Sequence, residues 1–108
     1  MSAYENLKLF LQCGKNRQYD KIIQLLDENC QIKLLNQCIY YGIKELKNYV
    51  NFNFLHENNF SDIFSENNIY CVDTHYPNKK IARIYFYFDI MSNKIKKIYL
   101  KPVETKLE

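Results

Sequence analysis

Hydrophobic and polar residues alternate most regularly in the last third of the chain, between Ile81 and Val103. The run IARIYFYFDI leads into the turn-prone segment MSNK, and a second run, IKKIYLKPV, follows. Two β-rich runs joined by a short polar segment predict a β-hairpin. With a period of two, one side of the first strand carries Ala82, Ile84, Phe86 and Phe88, and the other carries Arg83, Tyr85, Tyr87 and Asp89. We expect the first side to pack on a core and the second to meet water or another subunit.

Apolar stripes at helical spacing predict three helices. The first spans residues 3–13, with Ser2 and Glu5 as a capping box at its start and Gly14 as a stop at its end. The second spans residues 18–28 and ends in the polar segment Asp27-Glu28-Asn29. The third spans residues 43–51, directly after Gly42. The apolar positions expected to cover the sheet are Leu7, Leu11, Ile22, Leu26, Leu46 and Val50.

Short β-rich segments account for most of the remaining chain. The sequence predicts strands at Cys30–Leu35, Gln37–Tyr41 and Asn68–Tyr76, a weaker one near Asp62–Ser65, and a turn at Pro77-Asn78; residues 52–60 fit either a helix end or a strand. The element order is therefore α-α-β-β-α-β-β-β. Because a sheet must bury one face, we expect an α+β fold in which a cone-like, curved antiparallel sheet of about four to six strands packs on the three helices. One domain spanning residues 1–108 accommodates all of it.

Composition disfavours some functional classes but does not identify the function. The chain is 47% hydrophobic and 25% charged, which is typical of a globular domain, and its net charge of +3 is small for a dedicated nucleic-acid binder. No apolar run is long enough for a membrane span, so we expect no membrane partner. The N-terminus lacks a secretory signal, which predicts an intracellular protein that is not secreted. The abundance of Tyr, Asn and Lys is typical of an AT-rich genome.

The four cysteines, Cys13, Cys30, Cys38 and Cys71, form no CxxC pair, and no histidine follows them at zinc-finger spacing. Zinc sites and disulfide scaffolds need such regular spacings or an oxidising compartment. We therefore expect reduced, mostly buried thiols, no metal site and no cofactor.

Three segments resemble the nuclear-transport-factor-2-like superfamily, which includes SnoaL-like cyclases and ketosteroid isomerases. Residues Arg17 to Cys30 are similar to its short second helix, which leads into acidic residues and the first strand. Tyr40-Tyr41-Gly42 is similar to the turn that opens its third helix, and Asn93-Lys94-Ile95 to the turn that starts its last strand. The resemblance implies the cone-shaped α+β fold. It also implies a cavity that could hold a small apolar ligand.

The same resemblance argues against isomerase chemistry. In that branch, an aromatic hydroxyl on the first helix and a carboxyl group on a late strand hold the oxyanion, and a carboxylate on the first strand moves the proton. Phe10, Ala82 and Leu34 stand at those three positions here, and none of these side chains can ionise or donate a hydrogen bond. The sequence therefore favours a function without catalysis.

A few polar residues remain as weak candidates for a site. Asp73 and His75 would share one face of a strand with Cys71, as an acid–base pair needs, although a solvated pair is the simpler interpretation. Together with Arg83 and Asp89, Asp73 resembles the Asp-Arg-Asp arrangement of the superfamily's epoxide hydrolases. Since Arg83 is predicted to face outward, we do not expect it to line the cavity. His56 would lie at a helix end or at the rim of the cavity, where it could contact a ligand, although a surface histidine is the simpler interpretation.

The outward face of the hairpin predicts an interface better than a catalytic site. Tyr85, Tyr87 and Tyr99 lie on it with Arg83, and Ile95 and Lys97 are expected beside Tyr99. The favoured function is a non-catalytic module that dimerises or docks a protein partner through this face. The first alternative is a small enzyme or ligand carrier that uses the cavity. The second alternative is an accessory nucleic-acid-binding subunit that uses the lysines and tyrosines of the hairpin.

Overall fold

The computed structural model describes residues 2–33, 39–42, 55, 59–75 and 81–103. Two helices and seven strands lie in these ranges: α1 (Ala3–Lys15), α2 (Tyr19–Leu25), β1 (Leu26–Lys33), β2 (Ile39–Tyr41), β3 (Asn59–Phe60), β4 (Phe64–Glu66), β5 (Ile69–His75), β6 (Ile81–Phe88) and β7 (Ile95–Val103). The predicted third helix at 43–51 and the predicted turn at Pro77-Asn78 lie outside the described residues. Neither α1 nor α2 is long and apolar enough to cross a membrane.

Helix α1 begins as predicted and ends later than predicted. Ser2 caps it, because the Glu5 amide donates to Ser2 Oγ at 3.1 Å, and the hydroxyl donates in turn to the Glu5 carboxylate. The helix continues to Lys15, so the prediction that Gly14 stops it is wrong. Gly14 is instead buried beneath Leu55, and a Cβ at this position would lie 2.5 Å from Leu55 Cβ. The glycine therefore serves close packing, and Arg17, with a φ of 58°, makes the turn out of the helix.

Helix α2 is shorter than predicted, because β1 starts at Leu26 where helix was expected to continue to residue 28. Leu25 and Leu26 are both buried, the first as the last helical residue and the second as the first strand residue. The polar segment Asp27-Glu28-Asn29 bulges from β1: between Leu26 and Gln31 the strand advances five residues while its neighbour β7 advances two. A polar bulge in a strand and a polar helix end look alike in the sequence.

The strand order across the sheet is β2-β1-β7-β6-β5-β3, and β4 pairs with β5 beside β3. The α+β class and the curved sheet are confirmed. The sheet is mixed, however, where we predicted it to be antiparallel throughout, because β1 and β7 run parallel. A parallel pair requires a long crossover, and here most of the chain separates the two strands. The strand count also exceeds the prediction, since residues 59–66 supply two short segments along the same edge of β5.

The predicted face assignment of the hairpin is confirmed. Ala82, Ile84 and Phe86 of β6 are at most 2% exposed and face the helices. They join a core to which the helices contribute Leu7, Phe10 and Ile22, and the neighbouring strands Ile32, Val72, Ile98 and Leu100. Ile95 also belongs to this core, so the prediction that it lies outside beside Tyr99 is wrong. The register shifts between Tyr87 and Phe88, and this irregularity moves Ile95 to the inner side.

Candidate functional site

The sheet side opposite α1 and α2, here called the outer face, carries most of the half-exposed aromatic and charged side chains. Strand register sets its rows. Tyr85 of β6 lies between Cys71 of β5 and Tyr99 of β7, and Tyr99 pairs further with Lys33 of β1. The next row joins Asp73, Arg83 and Lys101, and another joins Tyr87 with Lys97. Because directly opposed residues point to the same side, each row forms a continuous strip.

Arg83 is the centre of an ion-pair network on this face. Its guanidinium donates through Nε to Asp73 Oδ1 at 2.8 Å, through a second nitrogen to Asp73 Oδ2 at 3.2 Å, and through the third to Glu66 Oε2 at 2.7 Å. Tyr85 donates its hydroxyl to the same Glu66 oxygen at 3.1 Å. The guanidinium also lies 4.9 Å from the centre of the Phe64 ring. Arg83 is thereby held in one orientation by two carboxylates and an aromatic ring.

The electrostatics of this network keep its groups protonated. Hydrogen bonds to Asp73 and then to Glu66 raise the pKa of Arg83, so the guanidinium stays charged. Partial burial, followed by the hydrogen bond to Glu66, raises the pKa of Tyr85, so its hydroxyl remains a donor. Burial and the Glu66 charge also raise the pKa of Cys71, which disfavours the reactive thiolate. Guanidinium, phenol and thiol each keep their ordinary protonation state at neutral pH.

Lysines and tyrosines form the other half of the outer face. The Lys97 ammonium lies 5.4 Å from the ring centre of Tyr87 and 5.8 Å from that of Tyr99. Lys33 approaches the same Tyr99 ring to 5.0 Å, and the rings of Tyr85 and Tyr99 are 6.3 Å apart. These are cation–π distances. The outer face is therefore divided: lysines lie along β1 and β7, the carboxylates lie on β4 and β5, and tyrosines lie between them.

An open groove of about 570 Å³ runs between the two halves. Glu66, Arg83 and Tyr85 line one side of it, Tyr99 and Lys101 line the other, and the end of β7 closes it. Its lining therefore combines two tyrosine rings with the charged groups of Glu66, Arg83 and Lys101.

The structure assembles the predicted site residues in part. Asp73 pairs with Arg83, but Asp89 does not join them: it lies in the β6–β7 turn, where its carboxylate accepts hydrogen bonds from Met91 and Ser92. Glu66 takes the second position instead. Glu66 was not among the predicted site residues. The turn-forming pair Asn67-Asn68 was the available signal, because a tight turn there pairs Glu66 with Ile69 and puts Glu66 on the outer face.

The structure gives less support to the two histidines that were predicted as site residues. His75 is exposed at the end of β5, and both carboxylate oxygens of its neighbour Asp73 bind Arg83. An acid–base pair of His75 with Asp73 therefore stays a prediction. The predicted ligand contact His56 lies outside the described residues.

Two of the three positions that the resemblance equates with an isomerase's catalytic groups are described, and both are apolar and buried. Phe10 is fully buried and packs edge-on against Phe86, with ring centres 5.7 Å apart, and Ala82 is 1% exposed. Leu34, the third such position, lies outside the described residues. Two buried polar side chains break this apolar surface, Asn6 and Thr74. Within the described residues, Asn6 Oδ1 and Thr74 Oγ1 have no hydrogen-bond partner.

The fold that these observations define is a curved mixed sheet whose inner side holds α1 and α2 and whose outer side neither of these two helices covers. Solved structures share it over nearly the whole chain. A SnoaL-like protein of unknown function from Burkholderia thailandensis superimposes with a TM-score of 0.72 at 8% identity, covering 94% of this chain and 95% of that one. An NTF2-like protein of unknown function from Cytophaga hutchinsonii gives 0.69 at 13% identity, covering 95% and 91%.

A third similar structure is an epoxide hydrolase/cyclase-like enzyme involved in pyran ring formation in the polyether salinomycin. It gives a TM-score of 0.62 at 13% identity and covers 94% of this chain and 90% of that one. No protein-family model matches the sequence, and no curated protein matches it. The chain therefore has the cone fold of the nuclear-transport-factor-2-like and SnoaL-like proteins, as the sequence predicted. At these identities the likeness extends to the fold alone.

Proposed function

We propose that this chain is a non-catalytic interaction module that docks through its outer face, and that its partner is a second copy of itself. The observation that carries the proposal is the composition of the face on the side that α1 and α2 leave free: Tyr85, Tyr99 and a fixed Arg83 line an open groove, and Tyr87 lies on the same face. Tyr and Arg are enriched at the centres of protein interfaces. Burial of such a face against a partner should therefore be favourable in free energy relative to its exposure to water.

The division of charge across the face supports a second copy as the partner. The β1–β7 half carries Lys33, Lys97 and Lys101, whereas the β4–β5 half carries Glu66 and Asp73 around Arg83. When two such faces meet about a two-fold axis that runs along the line between the two halves, the lysine half of each lies opposite the carboxylate half of the other. Electrostatic complementarity of this type fixes the orientation of a complex more than its affinity. The same carboxylates repel phosphates, which disfavours the nucleic-acid alternative.

Burial of the described cysteines suits a reducing compartment, and we include an intracellular location in the proposal. Cys13, Cys30 and Cys71 are free thiols and buried. Burial, followed by the nearby charge of Asp27, raises the pKa of Cys30 to about 12. Such thiols resist oxidation and serve as small core residues.

The test is the oligomeric state of Tyr87→Glu. This change puts a carboxylate into the tyrosine patch and removes the ring over which Lys97 lies, so we expect the variant to sediment as a monomer while keeping its circular dichroism spectrum. The matched control is Tyr4→Glu, the same substitution at a tyrosine on α1 that is 44% exposed, which should leave the dimer intact. A Tyr87→Glu protein that remains dimeric would exclude the outer face as the interface.

One observation favours a small-molecule carrier or enzyme as a second candidate. Thr74 lies on the inner wall and is 1% exposed, and its hydroxyl has no hydrogen-bond partner among the described residues. A buried hydroxyl without a partner in the protein could form a hydrogen bond to a bound ligand. The salinomycin cyclase-like enzyme has the same fold. Thermal denaturation in the presence of apolar ligands with a hydrogen-bond acceptor tests this candidate, since binding raises the midpoint temperature. A Thr74→Val variant should lose that stabilisation.

A further inference from the structure

The turn between β6 and β7, residues Asp89 to Lys94 and here called the hairpin tip, exposes two apolar side chains. Ile90 is 88% exposed and Met91 is 92% exposed, the highest values among the large hydrophobic residues that the structure describes. Polar and turn-forming residues normally occupy such a position. Neither side chain contributes to the core, so folding alone does not explain them.

Hydrogen bonds restrain the backbone of the hairpin tip, although its apolar side chains are exposed. Asp89 Oδ2 accepts hydrogen bonds from the Met91 amide at 3.1 Å, the Ser92 amide at 2.8 Å and the Ser92 hydroxyl at 3.1 Å. The Asp89 amide donates to Lys94 O, and the Asn93 amide donates to Asp89 O, both at 2.8 Å. These bonds restrain the backbone of the turn that carries Ile90 and Met91, so that little backbone entropy is lost when the tip binds.

A buried side chain ties the hairpin tip to the helices. Asn6 of α1, 5% exposed, donates its amide nitrogen to Asn93 O at 2.6 Å. Tyr4, one of the three exposed large hydrophobic residues, lies on the first turn of the same helix and contacts Tyr70, whose ring contacts Phe88 at the end of β6. An aromatic residue thus accompanies the apolar pair at this end of the molecule.

The charges at the hairpin tip are mainly positive. Lys94 in the hairpin tip and Lys96 just beyond it are exposed within five residues of Met91. The carboxylate of Asp89 is the opposing charge, and hydrogen bonds from Ser92 and Met91, together with the Lys96 charge, lower its pKa. Apolar side chains at a convex tip, flanked by lysines and a tyrosine, are typical of segments that enter the interface of an anionic membrane.

We propose that the hairpin tip is a peripheral membrane-binding site: Ile90 and Met91 enter the headgroup region of an anionic bilayer, and Lys94 and Lys96 contact lipid phosphates and carboxylates. A bilayer surface accommodates a convex, two-residue tip without a matching cleft, whereas a protein partner would need one. The site is separate from the outer face and does not depend on the proposed function. The expectation of no membrane partner rested on the lack of a spanning run, whereas this site would contact only the bilayer surface.

Co-sedimentation with lipid vesicles tests this proposal. The probes are vesicles of phosphatidylcholine alone and vesicles with about one third phosphatidylserine. We expect the wild-type protein to bind the anionic vesicles and to bind phosphatidylcholine much more weakly. Ile90→Ser/Met91→Ser should weaken binding by about tenfold or more, because two apolar side chains no longer leave water. Lys94→Gln/Lys96→Gln should weaken it by about fivefold per lysine on anionic vesicles.

The charge-matched control is Lys15→Gln/Lys21→Gln, which removes two exposed lysines from the helices and should bind as the wild type does. Circular dichroism of each variant distinguishes a lost contact from a lost fold. A wild type that stays in the supernatant with anionic vesicles would overturn the proposal and leave the hairpin tip to a protein partner. Undiminished binding by Ile90→Ser/Met91→Ser would overturn it as well.

Discussion

Phe86→Ala is the substitution that best tests the two-sided sheet. Phe86 is 2% exposed, lies on the inner side of β6, and packs edge-on against Phe10 of α1 at 5.7 Å. Its removal leaves a cavity between the sheet and α1, and core Phe→Ala changes cost about 3–5 kcal/mol. The aromatic pair accounts for about 0.5–1.5 kcal/mol of such a loss. A domain of this size has a total stability of only about 5–15 kcal/mol, so the variant should be close to unfolding.

Tyr85→Ala is the matched control, one residue away on the outer face. Its ring is half-exposed, and the hydrogen bond from its hydroxyl to Glu66 is worth about 0.5–1.5 kcal/mol. Urea denaturation at low protein concentration measures the isolated subunit. With a slope of about 1–3 kcal/mol per molar urea, the midpoint for Phe86→Ala should fall by about 1 M or more. If Tyr85→Ala proved the more damaging change, the assignment of the two faces would be inverted.

Three further predictions concern single positions, each measured by denaturation. Gly14→Ala should destabilise by about 1–3 kcal/mol, because its Cβ would overlap Leu55; a more stable variant would show that Leu55 can move. Thr74→Val should stabilise the ligand-free protein by about 1–3 kcal/mol, because a buried hydroxyl without a described partner is removed; a loss of stability would reveal a partner. The lowered pKa of Asp89 stabilises the fold above about pH 4, and this contribution disappears as pH falls through the native pKa. Asp89→Asn should therefore be less stable than wild type at neutral pH and approach it in acid; an equal gap at both would refute this.

How much of the fold was predictable depends on whether local pattern or distant pairing decides each element. The hairpin faces follow from strict alternation, and Phe86 and Tyr85 lie where that alternation places them. The end of α2 could not be read in the same way, because Asp27-Glu28-Asn29 suits a helix end and a strand bulge equally. The parallel pairing of β1 with β7 depends on a crossover between distant segments, which no local pattern contains.

In the candidate site, too, local pattern predicted some residues and distant pairing placed others. Asp73 and Arg83 were grouped through the resemblance to an Asp-Arg-Asp arrangement, and strand register brings them together. Asp89 was placed with them by extending the alternation one residue too far, beyond the end of β6 at Phe88. Glu66 was missed because its contact depends on how β4 pairs with β5, and residues 61–63 interrupt that edge. Contacts within one strand were thus predictable, whereas those that depend on an irregular edge were not.

The most direct test of the central claim, that the outer face joins two copies of this chain, is sedimentation of the wild-type protein over a range of concentrations. We expect a dimer at tens of micromolar that dissociates on dilution, since an interface formed around three tyrosines and an open groove must bury on the order of 800 Å² per partner to be stable. A wild-type protein that sediments as a monomer throughout this range would contradict it.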